Sequence, residues 1–205
     1  MRRRTGRPGT VALTFDDGPD PVYTPRVLDA LAAEGAVATF FLVGRNAARH
    51  PELVRRIVAE GHGVGSHTWS HPELAETSLP ALVREVRRGR RELERLAGSE
   101  VRRFRPPKGH TSAAVFLAGR AAGVITWNWS LDAADWRPGR TRAEILEALA
   151  AVASEDVVLL HDGLEQPWAP EARDRSATVG ALRPLLALLR ERGLEPIRLD
   201  EAPGT

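Results

Sequence analysis

The chain has 205 residues, with 29 basic and 27 acidic side chains for a formal charge of +2, 42% hydrophobic residues and no cysteine. That length suits one domain burying roughly 70% of its unfolded surface, which excludes a disordered chain. The lack of cysteine excludes disulfides, thiolate nucleophiles and thiolate metal sites, so any metal must sit on His, Asp or Glu.

The first ten residues, MRRRTGRPGT, carry a positive cluster with no apolar stretch behind it. They read as a flexible basic tail at 1–10, not as a complete secretory signal, and 201–205 reads as a C-terminal tail. With no export signal the chain is expected in the cytoplasm, or outside it if an N-terminal segment has been removed. The longest apolar run, AVATFFLV at 36–43, is far shorter than the ~18 residues of a membrane span, so no such span is expected. Lys108 is the only lysine, so the basic side is nearly all arginine, which reads as coding bias before function.

From residue 11 onward, short apolar or β-branched runs alternate with helix-patterned stretches, the mark of βα units in a parallel sheet or barrel. Strands are predicted at 11–15, 37–43, 63–66, 103–105, 124–129, 157–160 and 196–199. Helices are predicted at 24–34, 47–60, 79–97, 113–122, 142–154 and 179–192. Several stop at a glycine, namely Gly35, Gly61, Gly98, Gly123 and Gly193. No repeat or linker divides the chain, so 11–200 reads as one α/β domain.

Every polar cluster with chemical promise follows a predicted strand, and in parallel β/α proteins those strand ends share one ligand-binding face. LTFDDGPD (Leu13 to Asp20) sets two like charges side by side. A metal would separate their roles, one carboxylate binding the ion and the other acting as base, although an isolated Asp-Asp-Gly is more often a cap or solvated turn. SHTWSHPEL (Ser66 to Leu74) holds His67 and His71 four apart, with Pro72 disfavouring helix at His71, which is expected to open a short helix instead. Two imidazoles and one Asp make the open three-ligand set of catalytic zinc and some other divalent ions; two surface histidines are the plainer alternative.

FRPPKGH (Phe104 to His110) stiffens a strand end with two prolines, which suits an oxyanion hole or an exposed loop with an incidental Arg. TWNWSLDAADW (Thr126 to Trp136) places three of the five tryptophans beside Asp132 and Asp135, as sugar binding or core packing would. VVLLHDG (Val157 to Gly163) delivers His161 from an apolar strand, where a lone His is more often structural. The loop at 163–177 follows that strand and is expected to cover the shared cavity.

In order, TFDDG, HTWSHP, FRPPKG, DAADW and LLH resemble the five signature motifs of the polysaccharide deacetylases, carbohydrate esterase family four, the NodB-type chitooligosaccharide and peptidoglycan deacetylases. The resemblance spans about 11–199 and implies a distorted (β/α) barrel of about seven parallel strands. It implies that Asp17, His67 and His71 bind a divalent metal, zinc first and cobalt or nickel after it, and that Asp16 is the catalytic base. It further implies that Arg105 holds and tunes Asp16, that His161 is the general acid, and that Asp135 orients His161 and raises its pKa. Trp136 would line the groove, Leu159 would receive the acetyl methyl, and the backbone N–H of Lys108 would stabilise the oxyanion. Relatives usually carry an aromatic residue at Lys108; the N–H is unaffected, while a cation there favours an anionic ligand.

The implied reaction is metal-assisted removal of acetyl groups from N-acetylglucosamine polymers. O-acetyl xylan hydrolysis and a non-catalytic glycan-binding role are the alternatives, and the partner is an acetylated oligo- or polysaccharide bound by a monomer. A non-haem iron oxygenase also uses two His and a carboxylate, but the alternating pattern does not suit an all-β scaffold. REVRRGRRELER (Arg84 to Arg95) prompts a polyanion binder, yet a charge run on a helix is usually a solvated face, so no nucleic-acid partner is expected.

Overall fold

The computed structural model describes residues 1–165 and 170–199. Among these, eight strands form one sheet: β1 (Thr10–Asp16), β2 (Thr39–Leu42), β3 (Gly63–Ser66), β4 (Arg103–Phe104), β5 (Ile125–Thr126), β6 (Leu131–Asp132), β7 (Val157–His161) and β8 (Glu195–Pro196). Their order is β5-β4-β3-β2-β1-β7-β6, with β8 beside the start of β1, and all pairs are parallel. The sheet curls into the distorted (β/α) barrel expected from the alternation. All seven predicted strands are present, and β6 is additional.

Seven α-helices cover the sheet: α1 (Tyr23–Ala33), α2 (Gly44–Arg49), α3 (Pro51–Ala59), α4 (Leu79–Ala97), α5 (Ala113–Ala121), α6 (Arg142–Leu149) and α7 (Ser176–Glu191). The stretch predicted as one helix at 47–60 is two, because Pro51 crowds the residue before it and His50 leaves the helical region at φ −128°, ψ 58°. His71 does not open a helix either. It sits at φ 54° with its N–H on Thr68 Oγ1 (3.0 Å), and the next helical turn is the 3₁₀ segment Leu74–Glu76. All five glycines read as helix ends have positive φ, and at Gly98 (φ 67°), the left-handed cap of α4, the N–H donates to the Glu94 carbonyl.

Strand β1 is buried along its whole length, so its period of two sorts side chains between two covered faces. Val11, Leu13 and Phe15 join Phe40, Leu42, Val158 and Leu160 against the helices, in a core completed by Leu28, Ile57 and Leu185. Ala12 packs on the opposite, concave side with Phe41, Trp127, Val157 and Leu199. Thr14 and Asp16 follow Ala12 in this alternation, so the strand carries a carboxylate into the barrel mouth.

Residues 2–5, within the segment read as a basic tail, run along the sheet. Arg2 N–H donates to Thr126 O (2.9 Å), Asn128 N–H to Arg2 O (2.8 Å) and Thr5 N–H to Glu155 O (2.9 Å), while Arg4 pairs with Asp156 (2.9 Å). Residues 201–205, and 166–169 of the covering loop, lie outside the described residues. The arginines of α4 are mostly engaged locally: Arg87 on Ala121 O, Arg90 on Glu94, Glu100 and Ala122 O, Arg95 on Glu92, and Arg88 over the Trp69 ring.

Helix α4 meets the loop bearing both histidines at Gly89, where an added Cβ would stand 2.6 Å from Thr68 O and 2.9 Å from Ser66 Oγ. Helix propensity alone predicts that Gly89→Ala stabilises by about 1 kcal/mol. We expect instead a loss of roughly 1–3 kcal/mol from overpacking, read as a lower denaturation midpoint at unchanged m. A gain would show that this contact does not set the loop's position.

Candidate active site

Asp16 ends β1 and lies opposite His161, the last residue of β7, as its register partner. Neighbouring parallel strands in register present partnered side chains on one face, so this pairing alone sets a carboxylate beside an imidazole. Asp17 would then point to the other face. It does not continue the strand: φ of 73° turns the backbone, and the second carboxylate joins the same cavity. The turn is tight enough that a Cβ on Gly18 would stand 2.2 Å from Oδ2 of Asp162, so only glycine fits.

The histidines come from the loop after β3. His67 Nε2 and His71 Nε2 both stand 3.3 Å from Asp17 Oδ1, and one ligand atom from each of the three residues lies within 4.8 Å of the others. All three are buried, at 2–5% exposure, which rules out the surface-histidine alternative. Two observations fit the group to a cation. Asp17 Oδ1 is buried with no hydrogen bond of good geometry, and His67 Nδ1 is held by the Arg105 carbonyl at 2.8 Å. The latter bond places the proton on Nδ1 and leaves the Nε2 lone pair for a metal.

Charge in this cluster is mutually supporting. Burial opposes ionisation of Asp17, but the His67 contact and the nearby imidazoles hold it well below the usual carboxylate range. Burial also works against a charged His67, and there Asp16, Asp17 and the Arg105 carbonyl win and raise it. At His71 burial prevails over Asp17, and the imidazole is pushed toward its neutral, metal-binding form.

Arg105, fully buried beyond the end of β4, holds Asp16. Its Nη1 donates to Asp16 Oδ1 (2.7 Å) and Thr14 Oγ1 (2.8 Å), Nη2 donates to Asn128 O (3.3 Å), and the guanidinium lies 4.1 Å from the centre of the Phe41 ring. Asp16 Oδ2 is left facing the triad, 3.9 Å from His67 Nε2. Lys108 follows in the same motif at φ 56°, inside a turn closed by Gly109 N–H on Pro106 O (3.0 Å). Its ammonium pairs with Glu73.

On the other side, His161 Nδ1 meets Asp135 Oδ1 at 2.7 Å, and Asp135 Oδ2 accepts the His161 N–H (2.9 Å) and the Thr178 hydroxyl (2.8 Å). Burial disfavours the imidazolium, but Asp135, aided by Asp17 and Asp16, outweighs it and pushes His161 up to about 9. Leu159 lies two residues back on the same face of β7, 3% exposed. Trp136 is half-buried next to Asp135, with Arg137 5.3 Å from its ring, whereas Trp127 is core and Trp129 packs over Gly109. Asp132 caps a local turn through Ala134 N–H (2.7 Å).

Asp16, Asp17, His67, His71, Arg105, Asp135 and His161 thus gather at the carboxyl ends of the strands, while Leu159 lies inside β7, Lys108 pairs with Glu73 and Trp136 lies beside Arg137. Several that the sequence reading passed over support them. Glu85 of α4 accepts the Trp69 and Ser70 N–H groups (3.2 and 2.9 Å), fixing the histidine loop. Glu165 N–H donates to Asp17 Oδ2 (3.0 Å), and Asn46 donates to both Asp17 O (3.1 Å) and the Glu165 carboxylate (2.6 Å). Asp162, wholly buried, accepts the Thr24 hydroxyl at 2.5 Å; burial pushes its carboxyl up to about 7 against that bond. The only local sign of these roles was the placement of Asp162 and Glu165 just after a motif.

Residues 3–127 match the family described as Polysaccharide deacetylase. The chain is 37% identical over 193 residues to a peptidoglycan-N-acetylglucosamine deacetylase of Bacillus cereus, covering 93% of this chain and 86% of the relative. It is 42% identical over 197 residues to a chitooligosaccharide deacetylase of Sinorhizobium fredii, covering 94% and 90%. The solved family 4 carbohydrate esterase from Streptomyces lividans, in complex with acetate, superimposes with a TM-score of 0.83 at 30% identity, covering 95% of each chain. With a family model matched over more than half of its length and relatives matched over nearly all of it, this chain belongs to the polysaccharide deacetylase family.

Proposed function

We propose that the protein removes acetyl groups from N-acetylglucosamine-containing glycans, peptidoglycan or chitin-like, with a divalent cation held by Asp17, His67 and His71. The observation that carries this reading is the pairing of Asp16 with His161 beside that triad, each fixed by its own buried partner, Arg105 and Asp135. The activities named for the Bacillus and Sinorhizobium relatives support the substrate class. Two imidazoles and one carboxylate favour zinc, with cobalt or nickel as substitutes.

When bound, the cation supplies Lewis-acid polarisation of the acetyl oxygen and a water of lowered pKa. Asp16, with Oδ1 committed to Arg105, takes the water proton on Oδ2. As the water oxygen bonds to the acetyl carbon, the backbone N–H of Lys108 donates to the developing oxyanion. His161, anchored through Nδ1, gives its Nε2 proton to the amide nitrogen while the C–N bond breaks. Leu159 receives the acetyl methyl and Trp136 stacks on the sugar.

The direct assay is acetate release from chitooligosaccharides, peptidoglycan fragments and acetylated xylan, with zinc, cobalt or a chelator added. Asp16→Asn and His161→Ala should each lower kcat by roughly 10²- to 10⁴-fold. Near-normal turnover in either variant would remove its assigned role. His67→Ala should lose bound metal on dialysis, measured by elemental analysis, and an unchanged metal content would take His67 out of the triad.

The pH profile tests the acid. His161 works in its protonated form, and its pKa is raised, so activity should persist through neutrality and fall as pH passes about 9. Asp135→Asn removes the charge that raises it, so the alkaline limb should move to lower pH. A limb that stays in place would show that another group sets it.

A further inference from the structure

Strands β5 and β6 stand at the two ends of the sheet order, and residues 127–130 join them. Asn128, 4% exposed, sits in that link and is bonded in three directions. Its N–H donates to Arg2 O (2.8 Å), its carbonyl accepts from Arg105 Nη2 (3.3 Å), and its side-chain Nδ2 donates to Gly109 O (3.1 Å). A carbonyl oxygen only accepts, so Gly109 fixes which end of the amide faces it. The amide Oδ1 is buried with no hydrogen bond among the described residues. Leucine would fill the same space without that desolvation cost, so the polar contribution of this side chain is its bond to Gly109.

That bond lands on a turn the backbone does not favour. Lys108 and Gly109 take the left-handed region in succession, at φ 56° and 63°, and such a conformation at lysine persists only where the surroundings hold it. Within the turn, Gly109 N–H donates to Pro106 O (3.0 Å) and His110 N–H to Pro107 O (3.1 Å). From outside, the Trp129 ring lies so close that a Cβ on Gly109 would stand 2.4 Å from it, and Asn128 Nδ2 holds the Gly109 carbonyl. Residues 128 and 129 therefore fix the turn, and with it the direction of the Lys108 N–H.

We propose that Asn128 is a positioning residue for the oxyanion donor: its amide, bonded to Gly109 O, aims the Lys108 N–H at the acetyl oxygen. The inference rests on the deacetylase reading above and adds the residue that sets this part of the geometry. The carbonyl of the same residue meets Arg105, which holds Asp16, so one link registers the oxyanion turn against the base. The metal triad comes from the loops after β1 and β3, and His161 from β7, so a side-chain change at Asn128 leaves their bonds in place.

The test measures kcat, KM and bound metal for Asn128→Ala and Asn128→Leu, with chitooligosaccharides and peptidoglycan fragments as substrates. Leu keeps the volume and removes the donor, whereas Ala removes both. A misaimed donor costs transition-state binding and little ground-state binding. In both variants kcat should therefore fall roughly 10- to 10²-fold while KM and metal content hold. Full kcat in the Leu variant with a loss in the Ala variant would make the side chain a space-filler and overturn the proposal. So would an unchanged kcat in both, or a loss carried by KM or by lost metal. Wild-type protein that releases no acetate from either substrate would overturn the deacetylase reading and this inference with it.

Discussion

Two ionisable carboxylates in consecutive positions, at the end of a strand buried on both faces, are the constraint around which this molecule is arranged. Asp16 and Asp17 are 3% and 5% exposed, and an unpaired charge there would cost about several kcal/mol after relaxation. Each is met by a different kind of partner, delivered from a different strand. Arg105, beyond β4, neutralises Asp16, while His67 and His71, beyond β3, surround Asp17. The order of β4, β3, β2 and β1 across the sheet is therefore also the order in which compensation reaches the acidic pair.

The backbone gives the two carboxylates their separate surroundings. Strand alternation alone would send Asp17 into the helix-facing core, where no cation waits. The left-handed turn at Asp17 brings it back to the barrel mouth, at a conformational cost that Asp bears better than most residues. Thr68 and His71 take the same unusual region at φ 69° and 54° in the facing loop. Three such residues around one cavity mark a geometry held by its neighbours rather than chosen locally. Those neighbours are Glu85 under the histidine loop, Gly89 against Thr68, and Glu165 with Asn46 on Asp17.

This division explains what the sequence could and could not disclose. Chemistry attached to a strand end was legible, because TFDD and LLH combine an apolar run with a polar terminus, and the βα alternation sets both ends on one face. The helix break at His50 was legible in principle from Pro51 but was overridden by the continuous amphipathic pattern around it. Strand β6 escaped because nothing within Leu131–Asp132 marks its pairing with β7, next to which Ser130 bonds Asp156 (2.7 Å). Glu85, Asn46, Thr24 and Thr178 were invisible for the same reason: each acts on a residue far away in the chain, and nothing beside it in sequence distinguishes it from an ordinary helix residue.

The opposite wall follows the same logic with the signs reversed. His161 is a buried imidazole that in the proposed reaction carries a proton, so it needs a fixed negative partner that cannot rotate away. Asp135 is that partner because both of its oxygens are engaged, one by the ring and the other by the His161 N–H and Thr178, and its backbone carbonyl is held by Arg175 at 2.5 Å. A carboxylate so tied cannot itself take the proton to a new place; it can only hold the ring and favour its charged form. The same bond directs Nε2, the one nitrogen left, toward the substrate side. On adjacent strands a guanidinium stands behind Asp16 and a carboxylate behind His161; the carboxylate raises the imidazole's pKa, so in the proposed reaction His161 holds the proton that an acid must give while Asp16 Oδ2 is left facing the triad.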